Sequence, residues 1–133
     1  MAKQKNGSYA HNIATIQNAA TTLLANIRFA SMDRPVKSIV ITSAIPNEGK
    51  SAVACNLAQA MASSGKRTLV VDCDTRHRSV ASRYNLHPKA GLFSLLSKQA
   101  PLEDVLTPTP VQSLSIIDIE PSIPNPADIF ASK

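Results

Sequence analysis

The most constraining feature of this sequence is a glycine-containing loop between an apolar run and an alanine-rich segment. The run at 38–43 reads SIVITS, and β-branched residues of this kind favour a buried strand. The loop occupies 44–51, residues 52–64 have helical composition, and a second apolar run, RTLVVD, follows at 67–72. The order predicts a strand–helix–strand unit, which in proteins is nearly always parallel and right-handed.

The loop itself, AIPNEGKS, fits the phosphate-binding loop pattern with alanine in place of the first glycine. Backbone N–H groups converge where such a loop opens a helix, at the positive end of the helix dipole. Gly49 lets the backbone turn around a phosphate, Lys50 supplies a cation, and the Ser51 hydroxyl can ligate Mg²⁺. We therefore predict binding of ATP with Mg²⁺, against the alternative of an ordinary strand-to-helix turn. The predicted cofactor-binding residues are Ala44, Asn47, Glu48, Gly49, Lys50, Ser51 and Ala52.

Two acidic residues follow the second apolar run, Asp72 and Asp74. Ligands of doubly wound sheets lie outside the carboxyl ends of the strands, so both carboxylates are expected near the phosphate loop. There they can ligate Mg²⁺ or act as a base on an attacking hydroxyl, although one of them can instead cap the next turn. The predicted catalytic residues are Lys50, Asp72 and Asp74, and the predicted metal ligands are Ser51, Asp72 and Asp74. Two arginines of the next turn are equally consistent with a solvated loop and a phosphate contact: Arg76 and Arg78.

The chain of 133 residues is long enough for one domain, and 44% apolar content allows a packed core. We expect a flexible tail at 1–10 and an ATP-binding domain at 11–133, which begins with a lead-in helix at 11–31. Apolar residues spaced three and four apart give that helix one apolar face. The predicted class is an α/β phosphate-loop nucleotide-binding fold, with a mostly parallel sheet flanked by helices and only its N-terminal part present.

Downstream of the second strand, the periodicity is weaker. We predict short helices at 91–99 and 101–106, a proline-rich connection at 107–113, a third strand at 113–120 and a helix from Pro126.

Charge and composition exclude several classes of protein. The net charge is +5, but no cluster of lysine and arginine is interleaved with aromatic residues, so no nucleic-acid partner is expected. Two cysteines do not form a disulfide scaffold and suit a reducing cytoplasm. No apolar run reaches the length of a membrane span, and the N-terminus has no secretory signal, so we expect a cytoplasmic location.

With these motifs, the chain resembles the bacterial tyrosine kinases of capsule and exopolysaccharide systems, within the MinD/ParA-like branch of phosphate-loop ATPases. The resemblance covers about 12–133 and is strongest at 38–76. It also includes GLFSLLSKQAPLEDVL at 91–106 and SIIDIEPSIPNPADIFASK at 115–133.

The resemblance implies ATP-dependent phosphorylation of protein tyrosine, usually on the kinase's own tail. Lys50 and Ser51 would contact phosphate and Mg²⁺, and Asp72 and Asp74 would be the Walker A′ acids, one of which activates the tyrosine hydroxyl. The implied partner is a transmembrane polysaccharide co-polymerase that activates the kinase and recruits it to the inner face of the plasma membrane. Self-association is also implied.

Two departures from the family pattern bear on these expectations. The lead-in helix of the family carries a glutamate and two arginines for ring assembly, and here those positions hold Asn18, Thr21 and Leu24. The family's third acidic motif and its tyrosine-rich tail lie downstream of the PNP helix, and this sequence contains neither. We therefore expect the N-terminal part of a longer kinase or a degenerate copy, with weak kinase activity if nothing follows Lys133.

Two other functions remain open at this stage. One is a MinD/ParA-like positioning ATPase, but its usual second lysine early in the loop is absent from residues 44–46. The other is a catalytically deficient nucleotide-binding adaptor of a membrane co-polymerase.

Overall fold

The computed structural model describes residues 2–121 and 123–131, with side chains from residue 11 onward. Within these residues the chain forms six helices and three short strands. The helices are α1 (Ala2–Ala30), α2 (Lys50–Ser63), α3 (Val80–Arg83), α4 (Leu92–Leu96), α5 (Leu102–Val105) and α6 (Pro126–Ala131). The strands are β1 (Thr68–Val71), β2 (Thr107–Pro108) and β3 (Leu114–Ile117).

The strands form one mixed sheet in the order β1-β3-β2. β1 and β3 are parallel, with Thr68 opposite Leu114 and Val71 opposite Ile117. β2 pairs with β3 in the antiparallel direction and lies in the proline-rich segment at 107–113, which the sequence predicts to be a connection. Its two residues are too few to give a sequence signal, because a strand pattern needs several alternating positions.

The core lies on both faces of β3, because successive side chains of a strand point to opposite faces. Leu114 and Ile116 pack with buried residues of α2 and α3 on one face. On the other face, Ile117 and Ile119 pack with Leu92 and Val105. The helices predicted at 91–99 and 101–106 and the strand predicted at 113–120 are confirmed by α4, α5 and β3, and the two helices pack against this strand.

Helix α1 packs along α2, and the Arg28 guanidinium donates a hydrogen bond of 2.6 Å to the Ser64 hydroxyl. Ala20 and Leu24 are buried in this contact, whereas Ile13 and Ile16 on the same predicted apolar face remain exposed. The helix includes most of the lead-in helix predicted at 11–31 and continues back to Ala2, across the segment expected to be a flexible tail. The ends of the predicted tail and last helix, at 1 and at 132–133, lie outside the described residues. No helix in the described part of the chain is long and apolar enough to cross a membrane.

The strand predicted at 38–43 is wrong: the backbone there has no ladder partner among the described residues. A groove of about 980 Å³ separates this segment from β1, with Leu57, Ala58 and Met61 of α2 in its lining. Val40 in the segment is 90% exposed. A β-branched run becomes a strand only where a neighbouring strand accepts and supplies its hydrogen bonds, so local propensity alone was insufficient.

Candidate phosphate-binding site

The loop at 44–51 ends at the N-terminus of α2, as the sequence predicts. Gly49 is the N-cap residue and has φ 86°, and Asn47 has φ 63°, so both occupy the left-handed region that the tight turn requires. The Glu48 carboxylate accepts hydrogen bonds from the N–H groups of Ala44, at 3.1 Å, and Ile45, at 3.4 Å. This glutamate therefore closes the loop from within.

The first turn of α2 presents the groups expected of a phosphate site. The Val53 N–H donates to the Gly49 carbonyl at 3.0 Å, which leaves the preceding N–H groups of the turn at the open end of the helix. Lys50, Ser51 and Ala52 occupy this turn, and all three predicted residues are therefore brought together where the helix dipole favours an anion.

Lys50 and Asp74 form an ion pair that joins this turn to the carboxyl end of β1. The ammonium nitrogen lies 2.6 Å from the Asp74 Oδ2, and the side chains are 30% and 15% exposed. Asp74 Oδ1 accepts hydrogen bonds of 3.0 Å from the N–H groups of Arg76 and His77. The hydrogen bond from Lys50, followed by those of the backbone, outweighs the effect of burial and lowers the Asp74 pKa to about 2. The carboxylate is thus charged at neutral pH and faces the phosphate loop.

Asp72 occupies a different environment from Asp74, although the sequence predicts the same roles for both. It is only 4% exposed, and its Oδ1 accepts the N–H of Asp74 at 2.9 Å. Its Oδ2 accepts two weaker hydrogen bonds of 3.4 Å, from the N–H groups of Ser79 and Val80. Asp72 therefore organises the turn after β1, which is the capping role that the sequence left open beside the catalytic one.

Three residues around the end of β3 were missed or left undecided. Arg78, for which the sequence allowed solvent or phosphate, pairs instead with Asp118. Glu120 accepts hydrogen bonds from the N–H groups of Gly91, Phe93 and Ser94 at the start of α4. Burial opposes the charge of Glu120, but these hydrogen bonds hold its pKa below the usual range. The signal in the sequence was two acids alternating with isoleucines in a strand that is otherwise buried.

The described residues contain no group of three or more His, Cys, Asp or Glu that could hold a metal ion. Magnesium in nucleotide sites is usually held by one or two protein oxygens together with substrate phosphates, so a full protein cage is not required. The Ser51 hydroxyl and the Asp74 carboxylate supply oxygen donors of that kind from the two sides of the site.

Comparison with known proteins agrees with this geometry. The sequence profile of the CobQ/CobB/MinD/ParA nucleotide binding domain matches residues 39–122. Tyrosine-protein kinase YwqD of Bacillus subtilis is 41% identical over 112 residues, which cover 84% of this chain and 47% of that protein. The solved structure of the BceF tyrosine kinase domain gives a TM-score of 0.77 at 38% identity, and the match covers 88% of this chain and 46% of that one.

A third relative is the succinoglycan biosynthesis transport protein ExoP of Rhizobium meliloti, 44% identical over 62 residues, which cover 47% of this chain and 8% of that protein. The chain spans about half the length of the Bacillus kinase and of the BceF domain. The resemblance to bacterial tyrosine kinases and the α/β phosphate-loop class are thus confirmed. The chain belongs to the family of CobQ/CobB/MinD/ParA nucleotide-binding domains.

Proposed function

We propose that this chain is the ATP-binding part of a bacterial protein-tyrosine kinase that acts in capsular or extracellular polysaccharide synthesis or export. The observation that carries this proposal is the ion pair between Lys50 and Asp74 at the start of α2. It brings the cation of the phosphate loop and an acid from the end of β1 to one point. The similarity to named tyrosine kinases supports the reaction class.

The proposed chemistry follows from what these side chains can exchange. A bound triphosphate offers Lys50 a more highly charged partner than Asp74, and the N–H groups of the first turn of α2 bind the same phosphates. The tyrosine oxygen then attacks the γ-phosphorus while the bond to the ADP oxygen breaks. Without Lys50 beside it, Asp74 regains proton affinity and accepts the hydroxyl proton. Mg²⁺ would be held by Ser51 and the Asp74 carboxylate together with substrate phosphates and would neutralise charge there.

Nucleotide binding tests the site directly. In calorimetric titration of the chain with ATP and Mg²⁺, we expect Lys50→Met to weaken binding by about 10- to 100-fold, because it removes a charged hydrogen-bond donor. Lys66→Met is the matched control, since Lys66 is exposed in the turn after α2 and loses the same charge. Equal affinity of the Lys50→Met variant and the wild type would refute the proposed site.

Phosphoryl transfer tests the reaction class. The protein that carries this sequence is incubated with γ-labelled ATP and analysed for label on tyrosine, with Lys50→Met as the inactive reference. Label on tyrosine that disappears in the variant supports the kinase. ATP binding without any transfer would favour the nucleotide-binding adaptor, and salt-dependent DNA binding would favour the positioning ATPase.

The proposed partner is a membrane polysaccharide co-polymerase, which would bring the chain to the inner face of the plasma membrane. The name of the succinoglycan transport relative supports a link to polysaccharide export. Co-sedimentation with membranes that contain the co-polymerase, but not with membranes that lack it, is the expected result. Size-exclusion chromatography with and without nucleotide tests the proposed self-association.

A further inference from the structure

The carboxyl end of β3 carries a buried acid that the proposed chemistry does not use. The Asp118 side chain is 2% exposed, and its Oδ2 pairs with the Arg78 guanidinium, which is 38% exposed. Its other oxygen, Oδ1, is buried without a hydrogen-bond partner in the part of the chain that the structure describes. A carboxylate removed from water in this way depends on its single cation, because burial of an unpaired charge is costly.

The backbone of Asp118 packs against the start of α4. Its carbonyl accepts the N–H of Leu92 at 2.8 Å. Gly91 lies so close that an added Cβ would be 2.2 Å from the same carbonyl oxygen. The Glu120 carboxylate then fixes the start of α4 through the N–H groups described above. Asp118, the partner of Arg78, is therefore part of the packed core.

Arg78 lies in the turn that carries Asp74 (residues 72–79). The first residue of this turn is bonded to β3, because the Asp72 N–H donates to the Ile117 carbonyl at 2.9 Å. The hydrogen bonds that the Asp72 and Asp74 carboxylates accept from backbone N–H groups are local, since each spans at most eight residues. Beyond Asp72, two ion pairs among the described residues connect the turn to distant parts of the chain: Lys50 with Asp74 and Arg78 with Asp118. The first pair involves the phosphate loop and the second involves β3.

We propose that the Arg78–Asp118 ion pair is a positioning device that fixes the turn at 72–79 to β3 and so keeps Asp74 opposite Lys50 for binding of the metal–nucleotide complex. That the ligand is a metal–nucleotide complex rests on the proposed function. That the ion pair fixes the turn rests on the observed contacts. In the described structure, no hydrogen bond or ion pair joins Arg78 or Asp118 to the phosphate loop or to Lys50, so they act through Asp74.

Amide hydrogen exchange of the chain without nucleotide tests the mechanics. In Arg78→Gln and in Asp118→Asn, the amides of Asp74, Arg76 and His77 should exchange about tenfold faster, because the turn keeps its bond to β3 at Asp72 but loses the one at Arg78. Arg78→Lys keeps the charge and should retain most of the protection. Arg83→Gln, an exposed arginine of α3 outside the ion pairs of the described residues, is the matched control. Unchanged exchange in both variants, or equal change in the control, would overturn the proposal.

Nucleotide titration with Mg²⁺ and with EDTA tests the consequence. We expect Arg78→Gln and Asp118→Asn to reduce the gain in affinity that Mg²⁺ provides by about tenfold, as loss of a supporting partner does at metal sites. Affinity in EDTA should stay within about twofold, which a general loss of stability would not produce. In the double variant, the gain in affinity from Mg²⁺ should be no smaller than in the more strongly affected single variant. A wild-type chain that binds no nucleotide would refute the proposed function, and a Mg²⁺ gain that is unchanged in the variants would refute the positioning role.

Discussion

Two apolar runs of this chain have similar strand propensity and opposite structural outcomes. In SLSIIDIE at 113–120, β3 lies between two other strands, and Ile116 is 0% exposed. In SIVITS at 38–43, the described structure contains no ladder, and Val40 is 90% exposed. The difference lies in the neighbours, because hydrogen-bond partners and cross-strand packing stabilise a strand more than the intrinsic preferences of its residues do.

The candidate site lies between these two regions. Its acids follow the carboxyl end of β1, in the hydrogen-bonded sheet. Its loop at 44–51 follows directly from the run at 38–43, called the unpaired run here because it has no ladder in the described structure. The groove of about 980 Å³ keeps the two sides apart along the strand, and Lys50 with Asp74 joins them at the end. The placement of Lys50 relative to Asp74 therefore depends on contacts at the end of the sheet.

The largest expected difference is in amide exchange. We expect the amides of β3 to exchange about a thousandfold more slowly than those of 39–42. The amides of β3 exchange only when the core opens, whereas those of 39–42 have no hydrogen-bond partner in a ladder. Nuclear magnetic resonance of the chain in deuterated buffer measures both. Asp72, directly after β1, provides an internal control, since its N–H donates to the Ile117 carbonyl at 2.9 Å and should also be protected. Equal protection of the two runs would show that 38–43 forms a ladder in solution.

The next largest difference is expected in the free energy of unfolding when one side chain of each run is truncated. Ile116→Ala should lower the free energy of unfolding by about 2–5 kcal/mol, because it leaves a cavity in the centre of the sheet. Val40→Ala should change it by less than about 0.5 kcal/mol, since the side chain is already in water. Urea unfolding of both variants gives the comparison, and similar losses would mean that Val40 is buried in solution.

Residues close in sequence account for what could be predicted. The spacing of apolar residues and the glycine, lysine and serine of the loop were enough to locate α2, β1 and β3 and to bring Lys50 and Asp74 together. The pair of Arg78 and Asp118 could not be found this way, because its partners are 40 positions apart and no period relates them. The strand at 38–43 failed for the same reason: its outcome depends on partners elsewhere in the chain.

The smallest expected effect concerns the ion pair that joins the two sides. The Asp74 pKa is lowered from 3.8 to about 2, so its charged form is favoured in the folded chain. Such a group adds stability that is fully present above its unfolded pKa and is lost as the pH falls through the folded one. The contribution of the pair should therefore disappear between about pH 4 and pH 2. Because the pair is partly exposed, its size should be about 1 kcal/mol or less.

Comparison of the wild type with Lys50→Met isolates this contribution from the titration of the other acids, which is common to both proteins. The difference between their free energies of unfolding, measured in urea from pH 6 to pH 2, should be constant above pH 4 and shrink below it. A difference that persists at pH 2 would mean that Lys50 stabilises the chain through packing and not through Asp74. In that case, the link between the unpaired run and the ordered sheet would be apolar, and a phosphate could not displace Asp74 from Lys50 by simple exchange of charge.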